Sequence, residues 1–209
     1  MDAIDVLVTA GGQGSRMRNI PGEKPLVHIL GRPMIDHVLD ALRCSEGVNN
    51  IYVSVSENVP LTEKYLQKAN VRTIMTSGNN YVADLQKALA EVTSTSVLIC
   101  PADLPLITAE GIELIQTHFN RSQFESLSVA VPSNIVKSIR AIPSYTLELD
   151  DREVVLCGVS VVDRDLMLSG KTLEQGFVVV NDEQFALNVN TPDELDRAEE
   201  LLNRRKSLN

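Results

Sequence analysis

Residues 7–18 read Leu-Val-Thr-Ala-Gly-Gly-Gln-Gly-Ser-Arg-Met-Arg, and Glu-Lys-Pro-Leu follows at 23–26. The mostly apolar residues 4–8 predict a buried first strand that ends in this glycine-rich loop. Gly11, Gly12 and Gly14 lack the Cβ atoms that would keep backbone N–H groups away from a ligand. Successive N–H groups in such a loop bind anions, and phosphate is the usual one. Because Arg16 and Lys24 add positive charge beside the loop, we expect it to bind phosphate.

Strands and helices alternate through the first hundred residues. Apolar runs and helical spacing predict strands at 4–8, 51–56, 71–75 and 97–100, and helices at 33–43, 60–68 and 82–92. This alternation is typical of βαβ units. We therefore expect an α/β fold, with a Rossmann-like, doubly wound, mostly parallel (mixed) sheet in three α/β/α layers. Ligands of such sheets bind at the carboxyl ends of the strands, where the loops after these strands converge.

The second half of the chain has a different pattern. Its predicted elements are a helix at 109–119, a strand at 127–131, an irregular segment at 132–144, a hairpin of 145–149 and 153–157, strands at 158–162, 176–180 and 185–189, and a closing helix. The closing helix starts at Thr-Pro-Asp-Glu, residues 191–194, which has the form of a capping box with proline at the first helical position. We expect a single domain over residues 1–209.

The overall composition excludes several classes of protein. A net charge of −9 argues against a surface for nucleic acid, which would be basic. The 3 cysteines are far apart, which argues against a disulfide framework and a zinc site. No apolar run approaches the ~20 residues of a membrane-spanning helix, and residues 1–5 have no basic leader. We expect a cytoplasmic protein with no nucleic-acid partner and no membrane insertion, and a homodimer is left open.

Two common phosphate loops do not fit this sequence. A Walker loop ends in Gly-Lys-Ser/Thr, whereas the Gly-Lys pair of this chain stands at 170–171, far from the glycine-rich loop. The dinucleotide fingerprint would place a third glycine at position 17, which is Met17. An NAD-dependent oxidoreductase is therefore disfavoured.

Candidate metal ligands follow two other predicted strands. Asp103, in Pro-Ala-Asp-Leu-Pro, comes directly after a continuous apolar run that is typical of a central strand. A carboxylate beside a phosphate loop is suited to hold Mg²⁺ on the phosphates, and the alternative role of helix cap suits Thr108 better. Asn188 in the strand predicted at 185–189 and Asn190 directly after it would point to the same side and could both face the crevice. Either asparagine could instead satisfy the turn before the closing helix.

Three motifs together resemble a known group of enzymes. Ala-Gly-Gly-x-Gly-Ser-Arg-Met at 10–17, with Lys-Pro-Leu at 24–26, resembles the signature of nucleotidyltransferases that include MobA-type enzymes and sugar-nucleotide pyrophosphorylases. Asn-x-Asn-Thr-Pro at 188–192 is similar to the carboxyl-terminal element of the same enzymes. Ser-Gly-x-x-Tyr-x-x-Asp-Leu at 77–85 resembles the archaeal CobY-type guanylyltransferases, and this resemblance covers nearly the whole chain. One departure is the segment 17–22, which stands where relatives often have Met-Gly.

The resemblance implies transfer of GMP from GTP to adenosylcobinamide phosphate with release of pyrophosphate, with Mg²⁺ as cofactor and a corrinoid phosphate as the second substrate. It implies that residues 1–107 form the nucleotide-binding half and 108–209 the acceptor-binding half with the closing helix. Arg16, Lys24 and Asp103 would be catalytic, Asp103 and Asn190 would hold the metal, and Gly158 would contact the acceptor. The nucleotide-binding residues that it implies are Ala10, Gly11, Gly12, Gly14, Ser15, Arg16, Lys24, Ser77, Gly78, Tyr81, Asp84 and Pro101.

Several alternatives stay open at this stage. Asp84 is the candidate residue for recognising guanine, and Tyr81 could stack on the base. Alternatively, both belong to an ordinary helix start, with Tyr81 packed in the core and Asp84 exposed to solvent. Gly158 could be an ordinary bulge glycine. The acceptor could be molybdopterin or another phosphorylated small molecule, or the chain could bind nucleotides without catalysis. No histidine arrangement suggests a general base, which favours a phosphate acceptor, since its second pKa near ~6 leaves it largely ionised.

Overall fold

The computed structural model describes residues 3–17 and 20–208. The strands are β1 (Ile4–Thr9), β2 (His28–Ile29), β3 (Arg32–Pro33), β4 (Val48–Ser56), β5 (Arg72–Thr76), β6 (Ser96–Pro101), β7 (Ser126–Pro132), β8 (Thr146–Leu149), β9 (Arg152–Asp163) and β10 (Gln175–Val179). The helices are α1 (Met34–Cys44), α2 (Pro60–Lys68), α3 (Tyr81–Ala90), α4 (Ala109–Arg121), α5 (Ser133–Ser138), α6 (Arg164–Leu168) and α7 (Pro192–Leu208), with 3₁₀ turns at Ser15–Met17, Lys24–Leu26 and Glu183–Phe185. None of the helices in this described part of the chain is long and apolar enough to cross a membrane.

A sheet of 8 strands runs through both halves of the chain, in the order β10-β7-β9-β6-β1-β4-β5 with β8 paired to β9, and β2 and β3 form a separate two-stranded antiparallel sheet. The strands β6, β1, β4 and β5 are mutually parallel, and β10 is parallel to β7. In the large sheet, only β9 runs antiparallel to its neighbours β6, β7 and β8. The sheet is therefore mixed and mostly parallel with helices on both faces, which confirms the predicted fold class.

The two faces of the sheet carry different layers. The first face packs against α1, α2, α4 and α7 and holds the larger hydrophobic core. The second face packs against α3, where Leu7 of β1 and Ile99 of β6 share a smaller core with Leu89. Because side chains alternate along a strand, Thr9 and Pro101 follow Leu7 and Ile99 onto the second face. The second face is therefore the one on which the loops after β1 and β6 open.

Two predictions about the second half are wrong. The segment 132–144 is not wholly irregular, because Ser133–Ser138 forms α5. The run 185–189 is not a strand, because Phe185 ends a 3₁₀ turn and the N–H of Val189 donates to the carbonyl of Asp103 at 2.8 Å. Phe185 is 1% exposed and lies against Gly111 of α4. The run is apolar because it is buried from several sides. A short apolar run does not by itself reveal whether its backbone forms hydrogen bonds with a neighbouring strand.

Other predicted features of the second half are confirmed. Asp150 and Asp151 join β8 to β9 with φ of 48° and 59°, as a type I′ hairpin turn requires. The strand continues through Gly158 to Asp163, so the predicted strands 153–157 and 158–162 are one. Thr108 caps α4, since its hydroxyl accepts the N–H of Gly111 at 3.2 Å. Asp103 is therefore not needed as the cap of that helix.

The capping box of α7 is also confirmed, and it extends into the preceding loop. The N–H of Glu194 donates to the hydroxyl of Thr191 at 3.3 Å. The Glu194 carboxylate, on a residue that is 2% exposed, accepts the N–H of Asn190 at 2.8 Å. The start of α7 therefore holds Asn190 in place.

Asp5 joins three segments at the amino end of β1, opposite the glycine loop. The residue has no exposed surface, and its carboxylate accepts hydrogen bonds of 2.9–3.3 Å from Asn49, Asn50, Thr93 and Ser94. Burial raises the pKa of Asp5, but these hydrogen bonds outweigh burial and hold the pKa below its ordinary value. This buried, saturated carboxylate stabilises the fold at the end of the sheet away from the predicted phosphate site.

Candidate active site

The glycine loop after β1 requires glycine at two positions. Gly14 has a φ of +59°, and a Cβ added to it would lie 3.2 Å from the Cβ of Lys24. A Cβ on Gly11 would lie 3.3 Å from the Cβ of Ser56, whose hydroxyl donates to the Gly11 carbonyl at 2.7 Å. Asn58 donates to the same carbonyl at 3.4 Å. These close approaches hold the loop between β4 and the segment that carries Lys24.

Three predicted site residues from distant parts of the chain meet beside this loop. The ammonium of Lys24 donates to Oδ2 of Asp103 at 2.5 Å and to Oδ1 of Asn190 at 2.7 Å. The side chains of Lys24 and Asp103 are 16% and 20% exposed, so their ion pair is largely shielded from water. Lys24 begins a 3₁₀ turn, Asp103 follows β6 and Asn190 precedes α7. The ammonium therefore contacts both oxygen atoms that the sequence predicts as metal ligands.

Hydrogen bonds identify the amide atom that each asparagine turns towards the site. Nδ2 of Asn188 donates to Oδ1 of Asp103 at 2.8 Å and to the carbonyl of Cys157 at 3.1 Å, and both of these partners can only accept. Nδ2 of Asn190 donates to the carbonyl of Asn188 at 3.2 Å. The oxygen of Asn190 therefore faces Lys24, whereas Asn188 presents its nitrogen and orients the Asp103 carboxylate.

A cavity of about 380 Å³ opens on the second face, above the carboxyl ends of β1, β4, β5 and β6. The predicted site residues that line it are Ala10, Gly11, Gly12, Gly14, Ser15, Arg16, Lys24, Gly78, Tyr81, Asp84, Pro101, Asp103 and Asn190. Ser77 and Gly158 do not belong to this lining. Its floor also includes Thr9, Ser54 and Thr76, which sequence reasoning missed. The available signal was a hydroxyl residue at or near the carboxyl end of β1, β4 and β5.

The Asp84 carboxylate closes the loop that leads into α3. Its Oδ1 accepts the N–H and the hydroxyl of Ser77 at 2.8 and 2.7 Å, and its Oδ2 accepts the N–H of Gly78 at 2.9 Å. Burial raises the pKa of Asp84, but these hydrogen bonds outweigh burial and keep the pKa below its ordinary value. Tyr81 is 62% exposed and is therefore not a core residue. The loop thus occupies the carboxylate of Asp84 and leaves the Tyr81 ring accessible to a ligand.

Glu23 is a further residue of the site that sequence reasoning missed. Its carboxylate accepts the N–H of Leu61 at 2.7 Å, and the N–H and hydroxyl of Thr62 at 2.6 and 2.7 Å. The cap position of α2 is Val59, which has no side chain able to accept a hydrogen bond. The first turn of a helix binds a carboxylate well. Because Glu23 precedes Lys24, this contact fixes the backbone from which Lys24 enters the pocket.

The oxygen atoms of Asp103 and Asn190 fit a hard divalent cation. Within residues 3–17 and 20–208, no group of three or more His, Cys, Asp or Glu side chains is arranged to hold a metal ion. One carboxylate and one amide oxygen are ligands that Mg²⁺ accepts when phosphate oxygens and waters complete its shell. Arg16 is exposed at the rim of the same cavity. The site therefore offers oxygen ligands and two cationic side chains around a glycine-rich backbone.

Comparisons with known proteins agree with this geometry. The family model of the MobA-like NTP transferase domain matches residues 6–140. The adenosylcobinamide-phosphate guanylyltransferase of Methanocaldococcus jannaschii is 32% identical over 209 residues, which covers 95% of this chain and 97% of that protein. The bifunctional protein GlmU of Thermodesulfovibrio yellowstonii is 30% identical over 122 residues, 57% of this chain and 26% of that protein.

Solved structures show the same fold at low sequence identity. The CMP:2-keto-3-deoxy-manno-octonic acid synthetase complexed with CTP has a TM-score of 0.71 at 18% identity, covering 98% of this chain and 100% of that one. The 4-diphosphocytidyl-2C-methyl-D-erythritol synthase of Anaerococcus prevotii has a TM-score of 0.71 at 16% identity, covering 97% of both chains. The family match spans more than half of the sequence, and the Methanocaldococcus relative matches over nearly its whole length. The chain therefore belongs to the MobA-like NTP transferase family.

Proposed function

We propose that this protein is a nucleotidyltransferase that transfers GMP from GTP to adenosylcobinamide phosphate, with release of pyrophosphate, in assembly of the nucleotide loop of cobamides. The observation that carries nucleotidyl transfer is the meeting of Lys24, Asp103 and Asn190 beside the glycine loop. The choice of guanine and of a corrinoid acceptor is supported by the relative from Methanocaldococcus jannaschii, which is named for that activity and matches along 95% of this chain.

The groups that line the pocket account for the phosphate chemistry. Backbone N–H groups of residues 11–15 would cradle the phosphates of GTP. Arg16 and Lys24 would neutralise the charge that develops on the α-phosphoryl oxygens and on the leaving pyrophosphate. An oxygen of the acceptor phosphate forms a bond to the α-phosphorus as the bond to the β-phosphate breaks in line with it. Because that acceptor is largely ionised near neutral pH, no side chain is needed as a general base.

Asp103 and Asn190 are the residues that would hold Mg²⁺, and the ion would supply positive charge to the phosphates. The amide orientation supports Asn190 over Asn188, since Asn190 turns an oxygen towards Asp103 and Lys24. Asn188 would keep the Asp103 carboxylate in position through its nitrogen. Lys24 contacts the same two oxygens as the proposed ion, so the two cations compete for them until a nucleotide offers Lys24 a phosphate.

The remaining roles are proposed from what each residue contacts. Tyr81 would stack on the base through its accessible ring, and Asp84 would shape the base site by holding Ser77 and Gly78. Gly158 would contact the acceptor, and residues 1–107 would be the nucleotide half and 108–209 the acceptor half of one domain. A cytoplasmic location remains a prediction from the sequence, and a homodimer remains an open question.

The test is an assay of the purified chain with GTP labelled in the α-phosphate and with adenosylcobinamide phosphate. We expect label to enter the corrinoid with GTP and not with labelled ATP or CTP, and Lys24→Ala or Asp103→Ala to abolish transfer while leaving the far-UV circular dichroism unchanged. Transfer of GMP to molybdopterin and not to the corrinoid would show that the proposed acceptor is wrong. Binding of GTP without pyrophosphate release, with either acceptor, would make the chain a nucleotide-binding protein without catalysis.

A further inference from the structure

Part of the second face of the sheet has no helix over it within the described residues. The helices α3 and α6 cover that face from β5 to the carboxyl end of β9, where Val162 belongs to the smaller core. Beyond them, on β9, β7 and β10, six side chains share the face, and we name them the shelf: Ser128, Ala130, Leu156, Ser160, Phe177 and Val179.

Strand pairing places these six side chains on one surface. Directly paired residues share a face, and the shelf is built from the pairs Phe177↔Ser128, Val179↔Ala130, Ser128↔Ser160 and Ala130↔Leu156. The residues between them, such as Val129 and Val178, belong to the core on the first face. Phe177 and Val179 are 36% and 42% exposed. The shelf therefore has exposed apolar side chains at its β10 edge and no charged group among its members. At its centre Ala130 has no exposed surface, and Ser128 and Ser160 are half-buried.

The shelf is continuous with the candidate active site. Pro101 lines the pocket and ends β6, and its neighbour Ile99 pairs with Ser160 of the shelf. Gly158 stands at the junction with a φ of +85°, and a Cβ added to it would lie 3.4 Å from Cγ of Pro101. No side chain of residue 158 therefore separates the pocket from the shelf.

Resting on the proposed function, we infer that the shelf binds the body of the acceptor, a broad ring system that carries amide groups at its periphery and the attacking phosphate. The glycine loop and the start of α3 line other parts of the pocket. Pro101 is the lining residue that adjoins Gly158 and the shelf, so the acceptor can enter from that side. The acceptor's phosphate oxygen bonds to the α-phosphorus, and pyrophosphate leaves with the electron pair of the broken P–O bond. The exposed apolar side chains at the edge of the shelf can pack against the face of this ring, and the hydroxyl groups of Ser128 and Ser160 can serve the polar groups at its periphery, which need hydrogen-bond partners.

The matched variants Val179→Glu and Leu114→Glu test this inference. Val179 belongs to the shelf, whereas Leu114 is 40% exposed on α4, which packs on the first face. Both changes place one carboxylate on an exposed apolar position. We expect Val179→Glu to raise KM for adenosylcobinamide phosphate at least tenfold and to leave KM for GTP and the melting temperature unchanged. Leu114→Glu is expected to match the unmodified protein in all three.

Equilibrium dialysis of adenosylcobinamide phosphate separates this inference from the proposed function. Binding that is lost in Val179→Glu and kept in Leu114→Glu supports the shelf even if no GMP is transferred, and in that case the transferase activity is the part that fails. Equal binding by the Val179→Glu variant and the unmodified protein overturns the shelf. Failure of the unmodified protein to bind the corrinoid, with GTP present, overturns it as well.

Discussion

Replacing Lys24 by methionine is expected to strengthen metal binding in the absence of nucleotide, although it abolishes transfer. The Lys24 ammonium lies 2.5 Å from Oδ2 of Asp103 and 2.7 Å from Oδ1 of Asn190, the same atoms that we propose as metal ligands. A cation that binds the free protein must first break these contacts. Methionine keeps much of the length of the lysine side chain and removes the competing charge.

The expected gain follows from the strength of the contacts that no longer have to be broken. A hydrogen bond to a charged partner contributes about 1.5–3 kcal/mol net, and the pair is mostly shielded, with side-chain exposures of 16% and 20%. Since about 1.4 kcal/mol corresponds to a factor of ten, the affinity for a divalent cation should rise roughly 10- to 100-fold. The measurement is a Mn²⁺ titration without nucleotide, followed by the electron paramagnetic resonance signal of the free ion.

Lys137→Met is the matched control for this experiment. Lys137 also forms an ion pair, with Glu153 at 2.9 Å, but the two side chains are 64% and 55% exposed and belong to α5 and β9. This variant should bind Mn²⁺ as the unmodified protein does. An unchanged or weakened Mn²⁺ affinity in Lys24→Met would refute the idea that Lys24 and the cation compete for Asp103 and Asn190.

Three further substitutions test the supports of the site and of the sheet. Glu23→Ala removes the carboxylate that caps α2 and should lower the free energy of unfolding in urea by about 1–2 kcal/mol, with reduced transfer; unchanged stability would show that the cap is not formed. Asp84→Ala should raise KM for GTP without weakening the preference for GTP over ATP, because the carboxylate holds backbone N–H groups; a selective loss of GTP would instead make Asp84 the reader of guanine. Asp5→Ala should lower the free energy of unfolding at pH 7 by about 3 kcal/mol, since it leaves buried donors unpaired. Because the pKa of Asp5 in the folded protein is held below its ordinary value, this difference should be complete above about pH 4 and shrink as the pH falls further; a difference that is constant with pH would contradict the charged state assigned to this carboxylate.

Local patterns were sufficient to predict the helices of the first half and its strands in the large sheet, but not the short pair β2 and β3. The strands there are short apolar runs, the helices carry apolar residues at a spacing of about 3.6, and each loop contains its own turn-forming residues. The strand predicted at 185–189 failed for a physical reason. Its apolar residues are buried by α4 and by the loop after β6, and burial of this kind produces the same pattern whether or not the backbone pairs with a neighbouring strand. The orientation of Asn188 was likewise beyond the sequence, because it depends on the carbonyl of Cys157.

The sequence by itself determined the chemical parts of the site. Glycines in the loop, a lysine close behind it, a carboxylate after the central strand and an asparagine before the closing helix are local features, and each predicted a group suited to phosphate or to its counter-ion. Only the tertiary structure decided that Lys24 meets Asp103 and Asn190, which are 79 and 166 residues away along the chain. The physical reason is that β1 and β6 are parallel neighbours, so the loops after them open at one edge of the sheet, and the buried segment 185–190 returns the chain to that edge. The same strand order, with β9 beside β6, decided that the shelf, which no helix of the described residues covers, adjoins the pocket.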